Sequence, residues 1–241
     1  YMTLTAYGDN AENALDKAEA EIERLDNLLS TGDGNSEIYA LNQNGTGTIS
    51  EDTETLLNES EKLYTDTEGV FDITIYPVMD AWGFTTQNYR IPSDEELKGL
   101  LENVNASKIQ YDKASKKVTL PAGVKIDFGG IAKGYTSSRI MDIYKKCGVT
   151  SGMVSLGGNV QLLGAKPDGS FWRVAVQSPD DTNDYLGVLE AEDKAVITSG
   201  GYERDFEENG KIYHHIIDPA TGYPAENGLK SVTIVSDDAT L

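Results

Sequence analysis

The chain has 241 residues, 39% of them hydrophobic and 25% charged, which suits a folded protein with a real core rather than a disordered tract. Its formal net charge is -20, from 40 acidic against 20 basic residues. That field repels nucleic-acid phosphates and argues against a DNA or RNA partner, and an anionic small substrate needs a cation or N–H donors to be held at all. No stretch reaches the ~20 apolar residues of a membrane-spanning helix. Cys147 is the only cysteine, so an internal disulfide and a cysteine zinc site are both excluded.

Residues 2–8 alternate as a strand, and Asp9 or Asn10 caps a helix whose Ala11, Ala14, Leu15, Ala18, Ile22, Leu25, Leu28 and Leu29 share one face. A polar loop over 30–45 follows. A second helix runs from about Glu51 to Thr65, capped by Ser50 and stopped near Gly69. Ser93 to Glu96 is a capping box that opens a short helix up to Leu101. Strands are predicted at 108–112, 116–120 and 123–129, then a helix over 131–148 ending at Cys147 and Gly148. The remaining strands fall at 152–164, 172–178, 186–192 and 194–201, with turn residues between them. Helices and strands mix without strict alternation, so the expected class is α+β, with residues 1–241 as one domain; two lobes around a cleft suit the same pattern.

Several segments can carry chemistry. In "IDFGGIAKGY" a strand ends at Asp127, Gly129 and Gly130 make a turn, and a helix begins whose first N–H groups can face an anion. Lys133 stands in the first helical turn, where the helix dipole disfavours a cation that faces no anion. A tight turn with a surface lysine fits those residues too. The Gly157–Gly158 pair reads as a bulge or close backbone approach, with a structural role favoured for Asn159. Thr198 and Ser199 precede another glycine pair, where a hydroxyl and backbone N–H groups can hold a phosphate; the nucleophile elbow of a serine hydrolase is missing. The aromatic-rich segment 69–84 suits a core, or a slot for a flat ring. His214 and His215 are the only histidines, and on a strand they point to opposite faces.

Six segments in order, "SEIYALN", "GVFDITIYPVMDAWGF", "IDFGGIAKGY", "SLGGNVQLLG", "TSGGYER" and "HHIIDPATGYP", resemble the flavin transferases of the ApbE type. The resemblance implies an α+β fold, FAD as substrate, a magnesium ion, and transfer of FMN to a threonine hydroxyl of an acceptor flavoprotein with release of AMP. A branch of the family hydrolyses FAD to FMN and AMP instead, and a flavin-binding protein without turnover is a further alternative. Carried over by motif, Val70, Phe71, Asp72, Asp127, Lys133 and Ile217 contact the flavin nucleotide, and Gly130 lends its carbonyl to the metal. Ser199 joins this set as a phosphate-holding hydroxyl. His215 is the base or orienter of the attacking hydroxyl, and His214 an outward neighbour. The family's remaining metal ligands, an aspartate and a threonine, are expected beyond Leu241, and its methionine that contacts FAD before Tyr1. A position that is often aromatic in the family is Gly32 here. The parent is accordingly expected to be longer at both ends, with a signal peptide and a lipidated cysteine that make it an exported, membrane-anchored lipoprotein.

Overall fold

The computed structural model describes residues 2–181 and 183–240. Its helices are α1 (Ala11–Leu29), α2 (Glu37–Asn44), α3 (Glu51–Asp66), α4 (Tyr76–Ala81), α5 (Asp94–Leu101) and α6 (Ala132–Lys146). Its strands begin with β1 (Met2–Tyr7), β2 (Thr46–Thr48), β3 (Gln110–Asp112), β4 (Lys117–Thr119), β5 (Ser151–Leu156) and β6 (Asn159–Leu163). They continue with β7 (Trp172–Gln177), β8 (Tyr185–Ala191), β9 (Ala195–Gly200), β10 (Asp205–Glu208), β11 (Lys211–His214) and β12 (Ser231–Ser236). The class is α+β, as the mixed pattern implies. Two compact units form: one from the residues up to Asp26, Ile131–Gly200 and those from Leu229 onward, the other from Asn27–Gly130 and Gly201–Gly228.

The first unit is built on an antiparallel sheet ordered β1-β5-β6-β9-β12. Alanines at 14 and 18, one helical turn apart, give α1 a smooth stripe that packs with Ile140, Met141 and Tyr144 of α6 on Val154 and Leu156. The β7–β8 hairpin supplies Trp172 and Val174, which pack with Leu162 and Val196 in a separate cluster. The Gly157–Gly158 pair is the two-residue turn of the β5–β6 hairpin, with φ of 57° and 88°. Both positions need the left-handed region, which glycine enters without strain. That turn, rather than a bulge, is what the pair does.

The second unit carries α2 to α5, a three-stranded sheet β2-β4-β3 and the β10–β11 hairpin. Its aromatic-rich segment is core: Trp82 and Val78 are fully buried, and Phe84 nearly so, with Phe206, Tyr213 and Tyr223 packed around them. Ser50 and Ser93 cap α3 and α5 as their spacing predicts, accepting the Thr53 and Glu96 N–H groups.

Two expectations need correction here. The polar stretch 30–45 is not all loop: Ser36 accepts the Ile38 and Tyr39 N–H groups and starts α2, whose Ile38 and Leu41 are buried. Two apolar anchors in eight residues are too few for a periodic signal. Residues 123–129 are not a strand, although Val124, Ile126 and Phe128 are buried alternately. Their backbone is paired by a side chain: Asn42 donates to the Ile126 carbonyl and accepts its N–H, both at 2.8 Å.

Candidate functional site

In the second unit, α3 ends in a tight loop where Glu68 and Gly69 both have positive φ. The Thr67 hydroxyl accepts the Phe71 N–H at 3.0 Å, and Val70 is left 72% exposed. Asp72 is buried, and its carboxylate serves the fold: one oxygen takes the Thr74 N–H (2.8 Å) and hydroxyl (2.6 Å), the other the Ala106 N–H (3.1 Å). Val70 and Phe71 are thus the parts of this stretch with surface left to offer.

Asp127 follows Ile126, which Asn42 pins, and its own N–H donates to the Ile73 carbonyl at 3.0 Å. Its carboxylate turns back to accept the Gly129 N–H at 2.9 Å. A Cβ at Gly129 would meet that carboxylate at 2.9 Å, and one at Gly130 would meet the Phe71 ring at 3.0 Å. The glycine pair therefore admits two neighbours that any side chain would displace. Burial pushes the Asp127 carboxyl above the usual carboxylate range, against the pull of the Gly129 N–H and the Arg204 charge. Burial also pushes up the Tyr76 phenol, helped by the charges of Asp80 and Asp127. Phe71, Asp127 and Gly130 are thereby brought into one neighbourhood.

The histidines end the β10–β11 hairpin. His215 donates its backbone N–H to the Arg204 carbonyl at 3.1 Å, and its Nδ1 lies 3.2 Å from that same oxygen. A carbonyl only accepts, so Nδ1 carries the ring proton. Phe84 meets the ring edge-on at 6.4 Å between centroids. His214 is not a plain outward neighbour: its Nδ1 is buried with no hydrogen-bond partner among the described residues, and its ring lies where a Cβ at Gly201 would meet it at 2.9 Å. Ile217 bridges Pro224 and packs in the aromatic core. Between them, Asp218 accepts the Ala220 N–H on its side chain (2.8 Å) and the Gly222 N–H on its carbonyl (2.8 Å). The Gly222 carbonyl in turn accepts Trp82 Nε1 at 2.8 Å. The Asp-Pro-Ala-Thr-Gly run is a closed loop bolted to the core, which fixes the residues on either side of it.

In the first unit, α6 begins without a side-chain cap and with no acidic residue in its first turn, unlike α2, α3 and α5. Lys133 sits there instead, exposed and in no ion pair among the described residues, beside the β5–β6 turn at Gly157. A cation, free N–H groups and a glycine turn on one surface suit an anion. Ser199 is exposed on β9 opposite Val232, whereas the neighbouring Thr198 hydroxyl is bonded to that of Thr233 at 2.8 Å. Beyond β12 the chain crosses α6: Asp238 accepts the Ser138 hydroxyl at 3.2 Å, and the Ala239 carbonyl lies against Gly134.

Asn42 and Arg204 are the site residues that sequence reasoning passes over. Asn42 falls in a stretch that reads as loop, and Arg204 follows a glycine pair preceded by Thr198 and Ser199, whose hydroxyls draw the eye first. Among the described residues, no group of three or more His, Cys, Asp or Glu can hold a metal. The exposed Gly130 carbonyl accepts no hydrogen bond among them, so these residues fit an oxygen-liganded cation as one corner of a site. No helix among them is long and apolar enough to cross a membrane.

The model of the ApbE family matches residues 1–241. The FAD:protein FMN transferase of Vibrio cholerae is 32% identical over 222 residues, 89% of this chain and 66% of that one. That of Klebsiella pneumoniae is 30% identical over 223 residues, 90% of this chain and 69% of its own. The chain thus spans about two thirds of the length of these relatives. The crystal structure of the ApbE protein of Thermotoga maritima, 34% identical, superposes with a TM-score of 0.92 over 98% of this chain and 78% of its own. The Pseudomonas stutzeri flavinyl transferase ApbE in its apo form, 29% identical, gives 0.87 over 99% and 77%. The chain belongs to the ApbE family, the family of flavin transferases.

Proposed function

We propose that the protein is an FAD:protein FMN transferase that moves FMN from FAD to a threonine hydroxyl of an acceptor flavoprotein and releases AMP. Family membership supports the flavin transfer; the observation that carries the mechanism is His215, whose Nδ1–H is tied to the Arg204 carbonyl, which makes Nε2 the proton acceptor of that tautomer. The acceptor hydroxyl attacks the FMN phosphorus, its proton passes to His215 Nε2, a new P–O ester bond forms, and the diphosphate bridge breaks with AMP as leaving group. Phosphoryl transfer of this kind depends mainly on positioning and charge neutralisation. Val70, Phe71 and Ile217 would contact the flavin nucleotide, with Asp127 and the Asp72 backbone.

Gly130 would hold magnesium through its carbonyl, with further oxygen ligands from residues following Leu241. Bound magnesium supplies charge neutralisation on the phosphates. The Gly130 carbonyl is an oxygen donor, which suits this choice of metal. Export as a lipoprotein, where acceptor flavoproteins are exposed, is part of the same proposal and rests on the family resemblance alone.

The test is incubation with FAD, magnesium and a threonine-bearing acceptor, read by mass spectrometry and by AMP release. A gain of one FMN on the acceptor, lost when its threonine is changed to valine, is expected. AMP without a mass gain would make the protein an FAD pyrophosphatase, and FAD binding without AMP a flavin carrier; either overturns the proposal.

A further inference from the structure

The chain has five arginines, and four are in ion pairs: Arg24 and Arg139 with Glu21, Arg90 with Glu96, Arg173 with Glu190. Arg204 has no ion-pair partner among the described residues, although Glu203 and Asp205 flank it and acidic residues outnumber basic ones twofold. In such a field an exposed guanidinium left without a carboxylate is the exception. Its main chain is equally distinctive, because the Arg204 carbonyl receives both the backbone N–H and the Nδ1 of His215. One residue therefore fixes the tautomer of the histidine and leaves a planar, permanently charged fork at the start of β10, in the same unit. The Arg204 charge reaches Asp127 without closing to an ion pair among the described residues. The guanidinium fork matches two oxygens of a phosphate in a way that a lysine ammonium does not.

From this placement we infer that the Arg204 side chain binds the phosphate of the flavin nucleotide beside His215, while its carbonyl holds His215 in the proton-accepting tautomer. This deepens the proposed transfer reaction and rests on it for the catalytic half. A phosphate gripped beside His215 stands where the attacking hydroxyl is deprotonated, and the positive fork offsets charge on the phosphoryl oxygens as the bond to AMP breaks. The side-chain and main-chain roles are separable, since substitution removes the fork and keeps the carbonyl.

The experiment compares wild type with Arg204→Met and Arg204→Lys, using FMN and riboflavin as binding probes and FAD with acceptor for turnover. Charge-assisted hydrogen bonds of this kind are worth a factor of about 10 to 100 in affinity. Arg204→Met should weaken FMN by that factor and leave riboflavin, which has no phosphate, unchanged. Turnover of FAD should fall roughly 100- to 1,000-fold, and Arg204→Lys should recover part of both losses. Thermal stability should stay within a degree or two of wild type, because the side chain makes no ion pair. Equal weakening of FMN and riboflavin, or unchanged affinity for both, overturns the inference. The two binding probes need no turnover, so they report on Arg204 even if the transfer reaction itself is disproved.

Discussion

Substituting Gly134 by alanine tests how the chain beyond β12 is seated. A Cβ there would sit 2.0 Å from the Ala239 carbonyl oxygen, 2.8 Å from its carbon and 3.2 Å from Thr240 Cα. All three atoms are backbone, so no rotamer change relieves the clash. The crossing segment must retreat by roughly 1.5 Å to regain an ordinary contact of ~3.5 Å. Overpacking of this kind costs about 1–3 kcal/mol, while alanine gains about 1 kcal/mol over glycine from helix propensity. Gly99 in α5 is the control, because nothing lies within 4 Å of a Cβ built on it. The propensity gain is common to both variants, so their difference isolates the clash: about 1–3 kcal/mol, at roughly 2–4 °C of Tm per kcal/mol for a chain of this size. Urea titration of both proteins measures it, and amide exchange over 236–240 shows whether the segment has lifted from α6 and lost the bonds that Ser138 makes to Asp238 and Thr240. Equal stability of the two variants, with protection over 236–240 unchanged, would refute the reasoning.

Changing His215 to alanine should cut turnover by a factor of ~100 to ~10,000 while FAD still binds, whereas His214→Ala should spare turnover; equal small effects in an AMP-release assay would remove His215 from the mechanism. Asp127 has a raised pKa, so the stability that it confers is full below the ordinary carboxylate pKa and is lost as pH rises through its folded value. Asp127→Asn should therefore be more stable than wild type at neutral pH, with the gap closing as pH falls through the raised pKa, as denaturation at a series of pH values will measure. Gly32 has no positive φ, and a Cβ added there would meet only open space, so Gly32→Tyr should change stability by under ~0.5 kcal/mol. It should tighten FAD binding in a fluorescence titration by adding a stacking ring, and unchanged affinity would discount that position.

Most of the helices and the first sheet are legible in the sequence because long apolar periods and strong caps leave little choice: α1 carries one stripe over nineteen residues, and Ser50 and Ser93 mark their helices unambiguously. The motif order leads to the family for the same reason that no single motif can, since each alone is also a turn. What stays hidden has a common cause in long-range pairing. The strand-like 123–129 segment alternates as a strand does, and nothing local says that its partner is a side chain 84 residues away. The burial of His214 Nδ1 depends on Gly201, thirteen positions upstream, and the isolation of Arg204 depends on where every carboxylate ends up. Asp72 reads as a ligand contact by its motif, yet its carboxylate is committed to Thr74 and Ala106, the latter in a segment that its own neighbourhood does not reveal.

The pairing of Asn42 with Ile126 has a consequence for which substitutions the position can survive. A neighbouring strand offers a donor and an acceptor side by side, and among side chains only a primary amide carries the same couple on one carbon. Aspartate keeps the acceptor but presents a second oxygen to the Ile126 carbonyl, leaving two lone-pair faces opposed in a buried place. Leucine fills the volume and strands both backbone groups, each costing about 1–3 kcal/mol. Glutamine has the right chemistry one methylene too far out. A single amide thus does at Ile126 what a neighbouring strand would do, and the alphabet of twenty residues holds one letter that fits.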